Sequence, residues 1–281
     1  MTSINIGPLA FPIAPLIVLA AWALASSLAR WIAPQPLKAA SSSTVSNATL
    51  IGLLAARLAH VATHAGAYAD APLSIVDFRD GGWHSTAGVL AGVAWLAWRA
   101  WRLPVAVRDV EHRPLWRRAL MAGTTLGLVA WMGAVALDAP SAGLPMPGVL
   151  MTRLDNNQPT TIAQLAAGRP MVVNLWATWC APCRAEMPAF AQAQQAMPDV
   201  MFVFANQGEA APLVARYLST MAIPQHTVVL DPAWALGAAV GSRSLPTTLF
   251  VNARGVIVKT HVGVLNRAAL QVQVDALRAA R

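Results

Sequence analysis

Val172-Val173-Asn174-Leu175-Trp176-Ala177-Thr178-Trp179-Cys180-Ala181-Pro182-Cys183 decides how this chain is read. An apolar, β-branched run leads into two cysteines three positions apart, and an amphipathic helical pattern follows them. A strand that ends where a helix begins puts Cys180 at the helix N-terminus. Unpaired N–H groups and the helix dipole there stabilise a thiolate. The spacing keeps the sulfur of Cys183 within disulfide reach of the first. These are the only two cysteines among 281 residues, so half of a four-cysteine zinc site is excluded. A purely structural disulfide across two residues closes little chain entropy and stabilises little. The pair therefore reads as a dithiol/disulfide exchange centre that needs no further cofactor or metal.

Outward from this motif the chain divides. Hydrophobic residues make up 56% and charged residues 11%, too apolar for an ordinary soluble protein. Before about Asp138 the sequence consists of long apolar runs; after Pro147 it alternates short strand-like and helix-like patterns. Of the 11 tryptophans, Trp22, Trp31, Trp83, Trp95, Trp98, Trp101, Trp116 and Trp131 fall in the first half, several near run ends, as at membrane interfaces. Residues 1–138 are thus expected to be a helical transmembrane domain, 139–148 a linker rich in Pro, Gly and Ala, and 149–281 an α/β domain.

Four spans are expected near 11–32, 48–68, 86–101 and 119–137. The absence of a basic n-region argues against a cleaved leader. Arg30 and Lys38 flank the first connection. Arg99, Arg102, Arg108, Arg113, Arg117 and Arg118 crowd the third, while the second carries Asp70, Asp77 and Asp80 against Arg79. Basic loops inside place the N-terminus and the C-terminal domain outside. In a bacterial cell that is the periplasmic face of the inner membrane, where disulfide chemistry belongs. The net charge of +8 needs no nucleic-acid partner; the lipid bilayer accounts for it.

The second span carries Arg57, His60 and His64 on one helix face. Intramembrane charge marks a functional or water-lined site by default; the competing readings are an interhelical polar contact, a snorkelling side chain, or a haem or metal pair from His60 and His64.

Two resemblances follow. Gly52-Leu53-Leu54-Ala55-Ala56-Arg57-Leu58-Ala59-His60, then Asp80-Gly81-Gly82-Trp83 and Ala87-Gly88-Val89-Leu90-Ala91-Gly92, with Ile6-Gly7-Pro8 at the start, resemble the first part of prolipoprotein diacylglyceryl transferase. Thr86 stands where that family has its histidine, with His84 two positions out of register, and the family's later arginine segments are missing. The resemblance implies an anchor in which Arg57, with His60 and His84 as neighbouring candidates, binds a lipid phosphate without catalysis.

In the second half, expected strands at 171–176 and 200–205, helices at 182–196 (kinked at Pro188), 212–220 and 232–240, a strand at 226–230, a hairpin of 247–252 with 255–261, and a helix at 266–280 make a three-layer α/β domain. Trp176-Ala177-Thr178-Trp179-Cys180-Ala181-Pro182-Cys183, Glu186, Pro188, Leu245-Pro246-Thr247-Thr248-Leu249-Phe250-Val251 and Asn252-Ala253-Arg254-Gly255 resemble the TlpA/ResA-type reductases of the thioredoxin superfamily. Asn174, where thioredoxin proper has a buried aspartate, is another such mark.

By this resemblance Cys180 is the exposed attacking thiol and Cys183 the shielded resolving thiol. Pro246 is a cis-proline beside the disulfide, and Glu186 modulates thiol pKa and proton transfer. Trp179, Ala181, Pro182 and Leu245 frame the substrate contact. Trp176 packs; His226 and His261 are ordinary strand residues. An Ala-Pro dipeptide between the cysteines lacks the histidine of strong oxidants, which favours the reducing side.

The expected activity is periplasmic thiol–disulfide reduction on cysteines of exported proteins, cytochrome c maturation among them. Because the membrane half lacks cysteine, a separate membrane thiol donor must recharge it. The alternatives are a thiol oxidase, a copper-handling protein using Cys180 and Cys183 with Met146 or Met151, and a lipid-processing enzyme.

Overall fold

A computed structural model describes residues 3–6, 9–33, 35–102, 113–138, 143–242 and 244–279. The chain opens with a two-stranded antiparallel hairpin, β1 (Ser3–Ile6) and β2 (Leu9–Pro12). Four longer helices follow: α1 (Ile13–Ile32), α2 (Lys38–Thr63), α4 (Ser85–Trp101) and α5 (Arg113–Asp138). The short α3 (Ala65–Ala69) and the 3-10 turns Pro72–Val76 and Phe78–Asp80 lie between α2 and α4.

α2 begins ten residues before the expected span. Ser41, Ser43, Thr44 and Thr49 look like loop residues, but their hydroxyls donate to carbonyls three or four residues back and so remain in a helix. Ser41 also bonds Ala29 O at 3.1 Å, fastening α2 to α1. Among the described residues α2 is the one helix long and apolar enough to cross a membrane, and Ile17–Ile32 is a shorter apolar helix. Arg108, part of the expected basic loop, lies outside the described residues, as do Gly7 and Pro8.

α1 packs on α2 and α5, and α2 on α4. The α2–α4 contact is made by small residues: a Cβ on Gly88 would meet Gly52 O at 2.7 Å, and one on Gly52 would meet Gly88 O at 2.9 Å. Backbones this close are how helices associate where hydrophobic burial gives no advantage. Trp116 is not an interfacial residue; it is fully buried with Ala29, Leu37 and Ala119.

The second half is an eight-stranded mixed sheet. Its elements are β3 (Leu144–Pro145), β4 (Met151–Arg153), β5 (Pro159–Thr160), α6 (Ile162–Ala166), β6 (Met171–Trp176), α7 (Ala181–Ala196), β7 (Met201–Gln207), α8 (Ala211–Leu218), β8 (Val228–Asp231), α9 (Ala235–Ala239), β9 (Thr247–Val251), β10 (Val256–Val262) and α10 (Arg267–Ala279). The strand order is β3-β10-β9-β6-β7-β8-β4-β5. β6, β7 and β8 run parallel and β9 antiparallel to β6, a thioredoxin-like α/β arrangement.

Within 139–148, Leu144–Pro145 pairs with β10 and Met146 N–H bonds Gly255 O. His226 sits in the 3-10 turn Gln225–Thr227 rather than in a strand. α7 is one continuous helix through Pro188, although proline there deprives the Arg184 carbonyl of its usual donor.

β6 is buried on both faces, as a central parallel strand must be. Period two sends Val172 and Trp176 into a core with α7, α8 and α10, and Met171, Val173 and Leu175 into a second core with α6 and α9. Asn174 shares parity with Val172 and Trp176, and that places its amide against α7.

Candidate functional site

Cys180 is the N-cap of α7, and its Sγ accepts the Cys183 N–H at 3.2 Å. The two cysteines form a disulfide with Cα atoms 5.2 Å apart. Ala181 and Pro182 are exposed on the first turn, where proline removes no needed donor. The expectation that Cys180 is the exposed sulfur holds only in relative terms. It retains 4% of its surface and Cys183 none.

The Leu245–Pro246 peptide is cis. β9 pairs with β6 so that Thr247 stands opposite Leu175. Pro246 is therefore at the end of the sheet where β6 passes into the cysteine turn. The Pro246 carbonyl accepts Gly263 N–H at 2.9 Å, and Leu245 is half-buried beside it. Trp179 is exposed and 6.3 Å from the Trp234 ring, while Trp176 is buried with its ring 5.5 Å from that of Tyr217 at a tilt of 39°.

Glu186 is not a solvated surface residue: it is 1% exposed. Its Oε1 accepts from Asn174 Nδ2 at 2.8 Å and its Oε2 from Leu265 N–H at 2.9 Å. Asn174 Nδ2 also reaches Thr248 Oγ1 at 3.2 Å. Burial pushes the Glu186 carboxyl up to about 8, against the two hydrogen bonds that favour its anion. One helical turn from Cys183, such a group titrates near the ordinary range of a thiol, the match a proton acceptor requires. His261, in β10, is 7% exposed and held down to about 4, chiefly by burial and then by Lys259.

Sequence reasoning missed Glu209. It follows β7 and accepts from Thr178 N–H at 2.7 Å, from the Thr178 hydroxyl and from Asn206 Nδ2 at 2.7 Å. This pins the turn that precedes Cys180. The available signal was the polar run Asn206-Gln207-Gly208-Glu209 at the carboxyl end of a buried strand, where α/β sheets place their sites.

The copper alternative loses its thioether partners. Met151 is buried in the α6/α9 core with Met146 packed on it, whereas the cysteines belong to the opposite core. Among the described residues no cluster of three His, Cys, Asp or Glu could hold a metal.

In the helical half, Arg57 is 3% exposed and His60 half-buried; a Cβ on Gly82 would sit 2.7 Å from Arg57 Nη1 and 2.8 Å from the His60 ring. The His60 and His64 rings are 4.5 Å apart. His84 is exposed and caps α4, its Nδ1 accepting Ala87 N–H at 3.3 Å. All the N–H directions of the guanidinium are taken within the protein. Nε donates to Ile75 O, Nη1 to Asp80 Oδ1 and Gly82 O, and Nη2 to Ser74 O, Asp77 O and Asp80 Oδ2. In this structure Arg57 organises the loop between α2 and α4.

A sequence profile described as Redoxin matches residues 141–277. The thiol:disulfide interchange protein HelX of Rhodobacter capsulatus is 31% identical over 144 residues, 51% of this chain and 81% of that protein. DsbE of Haemophilus influenzae, also a thiol:disulfide interchange protein, is 28% identical over 131 residues, 47% of this chain and 71% of that one. Among solved structures, a thioredoxin-family thiol:disulfide interchange protein from Chlorobium tepidum is 27% identical, with a TM-score of 0.43 over 50% of this chain and 99% of its own.

Proposed function

Because the chain belongs to the thiol:disulfide interchange proteins and is a thiol–disulfide oxidoreductase, we propose that it works as a membrane-anchored reductase on the periplasmic face of a bacterial inner membrane. Residues 1–138 form the membrane anchor, with four spans, and residues 149–281 carry the chemistry. The observation that supports this most is the Cys180–Cys183 pair at the mouth of α7, with Glu186 buried one turn behind it.

In the reduced chain, the Cys180 thiolate attacks one sulfur of a substrate disulfide and expels the other as a thiolate. In the fraction of molecules whose Glu186 is ionised, Cys183 gives its proton to that carboxylate and attacks Cys180 Sγ, which releases the second substrate thiolate. Two electrons have then passed to the substrate, and Cys180–Cys183 is again a disulfide. Recharging falls to a separate membrane thiol donor, since both cysteines of the chain are in this centre. Clients are cysteines of exported proteins, with cytochrome c haem-attachment cysteines the leading class. The membrane half, despite its transferase resemblance, anchors without acyl-transfer chemistry.

The reduction potential of the pair tests the direction. The reductase reading predicts a value towards the thioredoxin end of the range of roughly −270 to −120 mV. A value near −120 mV would make the protein an oxidase.

A further inference from the structure

The turn between β10 and α10 joins three parts of the molecule. Gly263 N–H donates to Pro246 O and Leu265 N–H to Glu186 Oε2, each at 2.9 Å. Asn266 Nδ2 donates to Asp80 Oδ2 at 3.0 Å, across 186 positions of sequence. The first two bonds belong to the redox centre. The third reaches the loop that Arg57 organises in the helical half.

Both ends of that third bond are held. Asp80 is 3% exposed and is fixed by Arg57, by the Tyr68 hydroxyl at 3.1 Å and by Gly82 N–H at 2.9 Å. Asn266 Oδ1 caps α10 by accepting Ala269 N–H at 2.9 Å, which leaves its Nδ2 for Asp80. Around the bond, α10 packs on α3 and on the turn Pro72–Val76. Gly81, at φ +68°, brings its backbone against His261: an added Cβ would be 3.6 Å from the imidazole Cε1.

We propose that the loop between α2 and α4 is a docking platform for the redox domain, with Asn266 as its latch. Docking presents Cys180–Cys183 at one height and orientation over the membrane half, instead of leaving it carried only by the connection after Asp138. The latch is one residue from the N–H that holds Glu186 and three from the N–H that holds Pro246, so platform and redox centre share one short segment. The inference is independent of the direction of thiol exchange.

Asn266→Asp isolates the latch. Aspartate caps a helix as well as asparagine does, so α10 keeps its start, but a carboxylate now faces Asp80. The full oxidised chain in phospholipid nanodiscs is compared with wild type by amide hydrogen exchange. Exchange should rise together in residues 72–83 and 263–270, on the order of tenfold for a lost charge-assisted hydrogen bond. Asn266→Ala, which loses the cap as well as the latch but adds no repulsion, should also raise both segments, by less than Asn266→Asp in 72–83.

For the reduced chain, the rate of Cys180 with glutathione disulfide is the reference for each variant, since the Asn266–Asp80 bond involves neither sulfur. Its rate with a disulfide tethered to a lipid of the same disc should change several-fold. Exchange that rises in 263–270 alone reports only a frayed helix start and overturns the latch. So do unchanged exchange in both segments and an unchanged ratio of the two rates.

Discussion

Replacing Glu186 by Gln tests whether the carboxyl buried behind the cysteines is protonated at neutral pH. Its folded value is about 8 against an ordinary 4.5. A carboxyl raised on folding contributes stability that is fully present below 4.5 and is lost as pH rises through about 8. His261, lowered from 6.5 to about 4, has the opposite slope: the stability it withholds at acid pH is regained as pH rises to 6.5. The Glu186 effect is therefore best isolated between pH 6.5 and 8. At 1.36 kcal/mol per unit, the oxidised wild-type protein should lose on the order of 1–2 kcal/mol of stability across that window.

Glutamine resembles the protonated acid in shape and does not titrate, so Glu186→Gln should be nearly flat over the same range. Urea unfolding of the oxidised chain in detergent, followed by tryptophan fluorescence, measures both curves; the disulfide keeps the cysteines from titrating. Parallel curves for the two proteins between pH 6.5 and 8 would refute the buried, protonated carboxyl.

Further outcomes follow from named contacts. Glu209→Ala leaves the Thr178 and Asn206 donors without their acceptor; it should cost about 2–4 kcal/mol in urea unfolding and slow disulfide exchange by loosening the turn before Cys180. Gly88→Leu forces a side chain into the Gly52 carbonyl and the Ala56 methyl, and should cost about 3 kcal/mol. Gly92→Ala, facing Ala48 O at 3.2 Å, should be much milder when the two variants are compared by thermal melt. Arg57→Met strands the Asp80 carboxylate and should cost about 3–5 kcal/mol, with Asp80→Asn in the same chain recovering part of the lost melting temperature.

The redox half was legible because its elements announce themselves locally. The run Met171–Trp176, the cysteine pair at a helix start and the hairpin around Ala253-Arg254-Gly255 each carry their own period or turn signal. What escaped depends on partners distant in sequence. Glu186 could be put on the face of Cys183 by spacing, but the N–H that holds its buried carboxyl is that of Leu265, 79 residues later. Asp80 reads as a loop charge that orients the membrane half. Its work in bonding Arg57, Tyr68 and Asn266 leaves no local trace. The early start of α2 was hidden for another reason: a run of serines is ambiguous until the carbonyls its hydroxyls bond are known.

Trapping with Cys183→Ser addresses the exchange chemistry itself. Expressed in a bacterial host, this full-length variant should accumulate mixed disulfides with exported cysteine-containing proteins, joined through Cys180 and released by reductant. The Cys180→Ser/Cys183→Ser chain should trap none. If the single variant yields no reductant-sensitive adduct under oxidative challenge, the claim that Cys180 trades bonds with other proteins' sulfurs is contradicted.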